Sequence, residues 1–118
     1  MSGDPAPSHR IARRYFHMWN TGDTSIASEI LRSDWTDHAH PDVSGPADVQ
    51  RAVEQTRAAR PGLRFEIETI LGEGDLVSVV GGVGHVGRPG EIDSRLIWLI
   101  RLVDGQMAEM WTYRLSTP

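Results

Sequence analysis

The first half of the chain carries apolar residues at helical spacing in three stretches. In HRIARRYFHMWN they form one stripe, made of Ile11, Tyr15, Met18 and Trp19. The stretches TSIASEILR and PADVQRAVEQTRAAR repeat the pattern, and the second of these opens with a proline and stops at a Pro-Gly pair. The pattern predicts three helices.

From Leu63 onwards apolar and polar residues alternate, which is typical of strands. The alternating runs are LRFEIETI, LVSVVGGVGHVG, IDSRLIWLIRLV and MAEMWTYRL, with short turn sequences such as EGD and DGQ between them. These runs predict four consecutive antiparallel strands. Helices followed by strands indicate an α+β domain, in which three N-terminal helices pack on one face of a curved, mainly antiparallel sheet.

The length of 118 residues is enough for one hydrophobic core and too short for two. The opening MSGDPAPS is rich in Gly, Pro and Ser, so residues 1–8 are expected to be a disordered tail, with Ser8 able to cap the first helix. Residues 9–118 are expected to form the domain. The absence of cysteine excludes disulfides, thiol nucleophiles and thiolate metal ligands.

The net charge of the chain limits the kinds of molecule that it is expected to bind. Twelve Lys and Arg against 16 Asp and Glu give a net charge of −4, and no basic stripe interleaved with aromatic residues is present. This composition predicts no nucleic-acid partner. No apolar run approaches the roughly 18 residues of a membrane span, and no export signal is visible, so we expect a cytoplasmic protein without a membrane partner.

The segment WTDHAHPD at residues 35–42 concentrates imidazoles and carboxylates. Taken locally, it is a polar surface loop, a metal site or one wall of a catalytic pocket. His38 and His40 lie two residues apart and could form part of a metal site together with His85. The sequence does not place His85 or any other third ligand beside the pair. We therefore predict no metal site.

Several longer strings occur in the order found in one known family. They are WNTGD at 19–23, SDWTDHAHP at 33–41, ARPGLRFEIETILGEGDLVSVV at 59–80 and IRLVDGQMAEMW at 100–111. In these strings the chain resembles the SnoaL-like polyketide cyclases of the nuclear transport factor two-like superfamily. The resemblance implies a cone-shaped fold whose helices close a deep, mostly apolar cavity. Because the superfamily includes cyclases, isomerases and non-enzymatic binders, the resemblance leaves the activity open.

The same resemblance singles out candidate catalytic residues. Family members commonly carry an aspartate–histidine pair after the second helix, with the imidazole in the cavity, and Asp37 and His38 match that pair. Since imidazole titrates near neutral pH, His38 is the predicted acid/base group, with His85 or Glu109 as the second group. Alternatively, His38 is a core-edge histidine bonded to backbone, and His85 is exposed at the end of its strand. His40 is expected in solvent.

Side-chain directions in the strands follow from alternation. If Trp111 points into the cavity, as the family's closing-strand tryptophan commonly does, then Glu109 and Tyr113 share its face while Met110 and Thr112 point outward. On the second predicted strand, the inner face is expected to carry Val79, Gly81, Val83 and His85.

The tryptophans, which come from four different elements, are Trp19, Trp35, Trp98 and Trp111. They fill the core, or several of them converge on the cavity and bind a small hydrophobic or aromatic molecule by stacking. Tyr113 would then supply a polar contact, and Tyr15 and Met18 would close the mouth. Trp98 also stands where the cyclising relatives carry an acid/base aspartate, a departure that speaks against their usual aldol mechanism.

These features together predict a small cofactor-independent cyclase or isomerase, which acts on a hydrophobic substrate by proton transfer in a deep apolar pocket. The resemblance suggests a polyketide origin for that substrate. The alternative is a non-catalytic small-molecule-binding or assembly protein of the same fold. The test between the two hypotheses is whether His38, His85 and Glu109 converge around one open cavity, since their divergence would exclude this catalytic proposal.

The strand IDSRLIWLIRLV is apolar on both faces. Leu96, Trp98 and Ile100 are expected on the cavity side, and Ile97 and Leu99 on the other. Since all three helices are needed on the concave face, a second copy of the chain is the predicted cover for the outer face. We therefore expect a homodimer, with Met110 and Thr112 contributing to its interface.

Overall fold

The computed structural model describes residues 7–115, and three helices open the fold as predicted. They are α1 at Pro7–Thr21, α2 at Ser25–Ile30 and α3 at Gly45–Ala59. Since α1 already begins at Pro7, Ser8 lies within the helix instead of capping it; the rest of the predicted tail falls outside the described residues. Among residues 7–115 no helix combines the length and apolar character needed to cross a membrane.

The sheet has five strands, one more than the sequence pattern predicts. They are β1 at Leu31–Asp37, β2 at Leu63–Glu73, β3 at Leu76–His85, β4 at Ser94–Val103 and β5 at Gln106–Arg114. Their order is β1-β5-β4-β3-β2, with β1 parallel to β5 and all other neighbours antiparallel. The α+β class and the three helices on a curved, mainly antiparallel sheet are thus confirmed.

β1 was missed because its side chains do not alternate regularly. Leu31, Trp35 and Asp37 are buried while the residues at 33, 34 and 36 are exposed. A register shift in the pairing with β5 accounts for the irregular spacing. A strand with such a break lacks the period of two that a sequence pattern can reveal.

β5 has the opposite orientation to the one predicted. Thr112 pairs with Trp98, whose buried ring faces inward, and directly paired residues share a face of the sheet. Trp111 pairs with Leu99 on the outer face. The prediction that Trp111 points inward is therefore wrong, as is the outward placement of Met110 and Thr112. Because Met110 and Trp111 are both apolar, alternation alone does not choose between the two orientations.

A β-bulge at Ala108 shifts the alternation within β5. Arg101 of β4 pairs with Glu109, but the next residue, Leu102, pairs with Met107, so Ala108 has no partner of its own. As a result Met107, three residues before Met110, is buried as completely as Met110 is.

The core lies between the helices and the concave face of the sheet. α1 contributes Tyr15, Phe16 and Met18, all at most 3% exposed. The ring of Phe16 lies 4.5 Å from that of Trp98 on β4, so α1 packs directly on the middle of the sheet. The close pass of β2 over β3 depends on Gly81, where an added Cβ would lie 1.9 Å from the carbonyl oxygen of Glu66.

Candidate active site

A cavity of about 310 Å³ lies between the helices and the concave face of the sheet. Aromatic rings from α1, β2 and β4 form much of its wall: Tyr15, Phe16, Trp19, Phe65 and Trp98. The rings contact one another at tilted angles, with centroid separations between 4.5 and 6.3 Å. An aromatic wall of this kind favours a hydrophobic ligand with a flat part.

Asp37 is the carboxylate of the cavity lining. It lies at the end of β1 opposite Met110 of β5, which also lines the cavity, so the two side chains share the inner face. Asp37 is 7% exposed, and its Oδ1 accepts a hydrogen bond of 3.0 Å from the backbone N–H of Ala39. That bond fixes the direction of the carboxylate.

His40 reaches the same cavity from the turn after β1. Its Nδ1 lies 3.4 Å from Oδ2 of Asp37, and its side chain is 68% exposed. The exposure matches the expectation that His40 lies in solvent, but the residue also forms part of the cavity wall. With Nδ1 facing Asp37, Nε2 is the nitrogen left to exchange protons with a ligand or with water.

Tyr15 supplies a neutral phenol to the cavity. Burial raises the pKa of its hydroxyl well above the ordinary value of 10.0, and the negative charge of Asp37 raises it further. A phenol that keeps its proton at every physiological pH is a permanent hydrogen-bond donor.

His38 points away from this cavity, to the outer face of the sheet. Its backbone N–H continues the β1–β5 pairing by bonding to the oxygen of Met110, so alternation from inward Asp37 turns His38 outward. There its Nε2 lies 2.7 Å from Oε2 of Glu109, and its ring stacks on Trp111 at a centroid distance of 4.8 Å. Arg101 donates to the other oxygen of Glu109 at 2.5 Å.

His85 lies elsewhere again, exposed at the end of β3. It lines a second depression and not the main cavity. The required convergence of His38, His85 and Glu109 around one cavity is therefore not found. His38 and Glu109 do meet, but on the outer face. Within residues 7–115 no cluster of three or more His, Asp or Glu side chains is arranged to hold a metal.

The predicted binding residues divide into three groups. Tyr15, Trp19 and Trp98 line the cavity. Met18 and Trp35 are fully buried in the core. The third group, Trp111 and Tyr113, lies on the outer face, where Tyr113 is 52% exposed.

The sequence patterns did not identify several cavity residues. Phe16 and Phe65 lie in different elements, and the packing of α1 on β2 brings their ring centroids to 5.8 Å from each other. Arg60, at the end of α3, is the guanidinium of the lining. Its position directly before Pro-Gly marks the end of a helix, a signal that says nothing about a cavity.

Comparison with known proteins places these features in context. A family model described as a SnoaL-like domain matches residues 12–110. A search of curated proteins gives no significant match.

Solved structures of similar fold have low sequence identity. A proposed polyketide cyclase from Bacillus cereus is 24% identical, with a TM-score of 0.73 over 88% of this chain and 71% of that one. A proposed isomerase of the SnoaL-like family from Agrobacterium tumefaciens is 16% identical, with a TM-score of 0.77 over 95% and 100%. IdmH, a proposed polyketide cyclase from Streptomyces antibioticus, is 21% identical, with a TM-score of 0.69 over 93% and 92%. At these identities the likeness concerns the fold.

Proposed function

This chain belongs to the SnoaL-like domain family, and on that premise we propose that it is a cofactor-independent enzyme that moves protons on a flat, hydrophobic carbonyl compound, as a cyclase or isomerase does. The observation that carries the proposal is the meeting of Asp37, His40 and Tyr15 at one cavity whose other walls are largely apolar. A few polar groups in an apolar pocket are typical of small-molecule sites.

Asp37 is the proposed base. A carboxylate held by the Ala39 N–H and almost removed from water can accept a proton from a carbon next to a carbonyl group. His40, 3.4 Å from the carboxylate and open to solvent, can return a proton to the product or exchange it with water.

Tyr15 is the proposed electrophile. When the proton leaves carbon, negative charge develops on the carbonyl oxygen, and the phenol can donate a hydrogen bond to that oxygen. The raised pKa keeps the proton on Tyr15, so the group stabilises the charge without transferring the proton fully. Trp98 stands where the cyclising relatives carry an acid/base aspartate. In this proposal Asp37, on another strand, takes over that acid/base role.

Proton exchange tests this proposal without knowledge of the natural substrate. In D₂O, the wild-type protein should speed the exchange of the α-protons of 2-tetralone, followed by proton NMR, above the rate in buffer. Asp37→Asn should lower the added rate by about 100-fold or more, because a general base supplies roughly that factor. Tyr15→Phe should lower it by a smaller factor. Prior dialysis against EDTA should leave the rate unchanged.

His38→Gln is the matched control, since His38 lies two residues from His40 but on the outer face. It should retain the wild-type rate. Equal rates for Asp37→Asn and wild type would rule out Asp37 as the base. Binding of 2-tetralone, seen by tryptophan fluorescence, without any added exchange would favour the alternative function, a non-catalytic small-molecule-binding protein.

We also propose that the protein is a homodimer joined through the outer face of the sheet. Cross-strand rows there bring together Leu99 with Trp111 and Ile97 with Tyr113. These residues replace Met110 and Thr112, which face the cavity. An exposed apolar sheet face is commonly covered by the same face of a second subunit.

A further inference from the structure

A second depression adjoins the cavity and suggests where one end of the ligand lies. Its walls come from the connection between α3 and β2 and from the end of β3, and it shares Arg60 and Leu63 with the cavity. The two spaces are therefore neighbours at Arg60 and Leu63, and a ligand that spans both would pass these two residues.

Arg60 brings an uncompensated positive charge to that junction. Its backbone N–H bonds to Thr56 at the end of α3, but its exposed guanidinium makes no hydrogen bond or ion pair with residues 7–115. Most other arginines of the described chain are paired with a carboxylate or, for Arg57, with backbone carbonyls. The guanidinium of Arg60 has the planar geometry that can donate two parallel hydrogen bonds to a carboxylate.

His85 adds a second donor to the depression. Its Nδ1 accepts a hydrogen bond of 2.9 Å from the N–H of Gly87, which assigns the proton of the neutral ring to Nε2. Nε2 lies over Gly62, so close that an added Cβ there would be 2.0 Å from it. No acceptor within residues 7–115 bonds to this N–H.

The other charges in the depression cancel. Arg88 donates to both carboxylate oxygens of Asp93, at 2.7 and 2.9 Å, so neither side chain is left to attract or repel a ligand strongly. In the adjoining cavity the carboxylate of Asp37 would repel an anion placed next to it. Charge therefore favours one orientation, with the anionic end at Arg60 and the neutral end towards Asp37.

From these observations we infer that the ligand is a hydrophobic carboxylic acid, whose carboxylate is bound by Arg60 and by Nε2 of His85 while its flat, uncharged part fills the aromatic cavity. The inference rests on the proposed function in one respect only, that a flat ligand enters this cavity. It requires no catalysis.

Two probes of nearly the same shape, one anionic and one neutral, test the inference: 2-naphthylacetate and 2-naphthylacetamide, each titrated calorimetrically into the full-length protein. Wild type should bind the acid more tightly than the amide by about three- to tenfold, the range of a charged hydrogen-bonded contact open to solvent. Arg60→Gln should remove this preference. His85→Phe should reduce the preference in part. Added salt should weaken binding of the acid but not binding of the amide.

Arg114→Gln is the control, because Arg114 is also exposed and without a partner in residues 7–115 but lies outside both depressions. It should bind like wild type. Equal wild-type affinities for acid and amide, or a preference that survives Arg60→Gln, would overturn the inference and leave the proposed proton transfer intact. Failure of both probes to bind would count against the inference and the proposed function together.

Discussion

Two carboxylates on opposite faces of the sheet, Glu109 and Asp37, differ in their hydrogen-bond partners. Glu109, on the outer face, accepts hydrogen bonds from His38 and from Arg101, and these bonds hold its pKa below the ordinary value of 4.5. Asp37, in the next residue pair but on the inner face, has a backbone N–H and an imidazole as its partners. The ion cluster on the outer face is thus saturated, whereas the inner carboxylate keeps capacity for a ligand.

The lowered pKa of Glu109 predicts a pH-dependent contribution to stability. A carboxyl group whose pKa is lower in the folded than in the unfolded protein stabilises the fold at pH values above its pKa in the unfolded chain. This contribution is lost as the pH falls through its pKa in the folded protein. Glu109→Gln should therefore lower the free energy of unfolding by about 1 kcal/mol at pH 7, and the difference from wild type should shrink towards pH 3. Urea titrations at equal protein concentration measure it. Glu73→Gln, at an exposed carboxylate without an ion pair in residues 7–115, should show no such convergence.

At the scale of elements, the end of α1 is locked to the sheet by polar contacts. The side-chain amide of Asn20 donates to the carbonyl of Phe65 at 2.9 Å and accepts from its N–H at 2.8 Å, as a neighbouring strand would. Arg57 of α3 donates to the carbonyls of Trp19 and Asn20. Three elements are thereby joined beside the cavity, at the point where Gly22, with φ of 83°, ends the helix.

Asn20→Ala should destabilise the fold by about 2 kcal/mol, because it leaves two half-buried backbone groups of Phe65 without partners. Thermal or urea unfolding measures the change. Thr21→Ala, which removes two exposed hydrogen bonds, one donated to the carbonyl of His17 and one accepted from the N–H of Asp23, should stay within about 0.5 kcal/mol of wild type. If the two variants were equally stable, the amide of Asn20 would not be a structural link between α1 and β2.

At the scale of the whole molecule, the two faces of the sheet have different surroundings. The concave face and the helices enclose the cavity, whereas the outer face leaves large apolar side chains in water, with Leu71 at 62% and Leu76 at 45% exposure. A sheet with only one face in the core usually has a polar second face. The exposed apolar side chains of the outer face, which lie beside the ion cluster of Glu109, therefore support the proposed dimer.

Leu99→Arg should convert the proposed dimer to monomers or aggregates, because it places an unpaired charge in the centre of the apolar contact. Sedimentation at micromolar concentration distinguishes these states. Gln55→Arg, an exposed change on α3, should leave the dimer intact. A wild-type chain that sediments as a monomer would contradict the proposal.

The sequence by itself determined the three helices, four of the five strands and the inner faces of two of those strands. Val79, Val83 and Trp98 lie inward as alternation predicts, because these strands pair without a bulge and the apolar face is unambiguous. The family strings likewise identified the fold, since their order along the chain is a property of the sequence alone.

The tertiary structure decided which side chains meet. A shift of one residue reverses every side chain of a strand, and the directions of β1 and β5 are set by their pairing and by the bulge at Ala108. For that reason Asp37, and not His38, enters the cavity, and Trp111 lies outside it. Arg60 becomes a cavity residue only because the end of α3 packs beside β2 and β3, contacts between distant positions that no local pattern encodes.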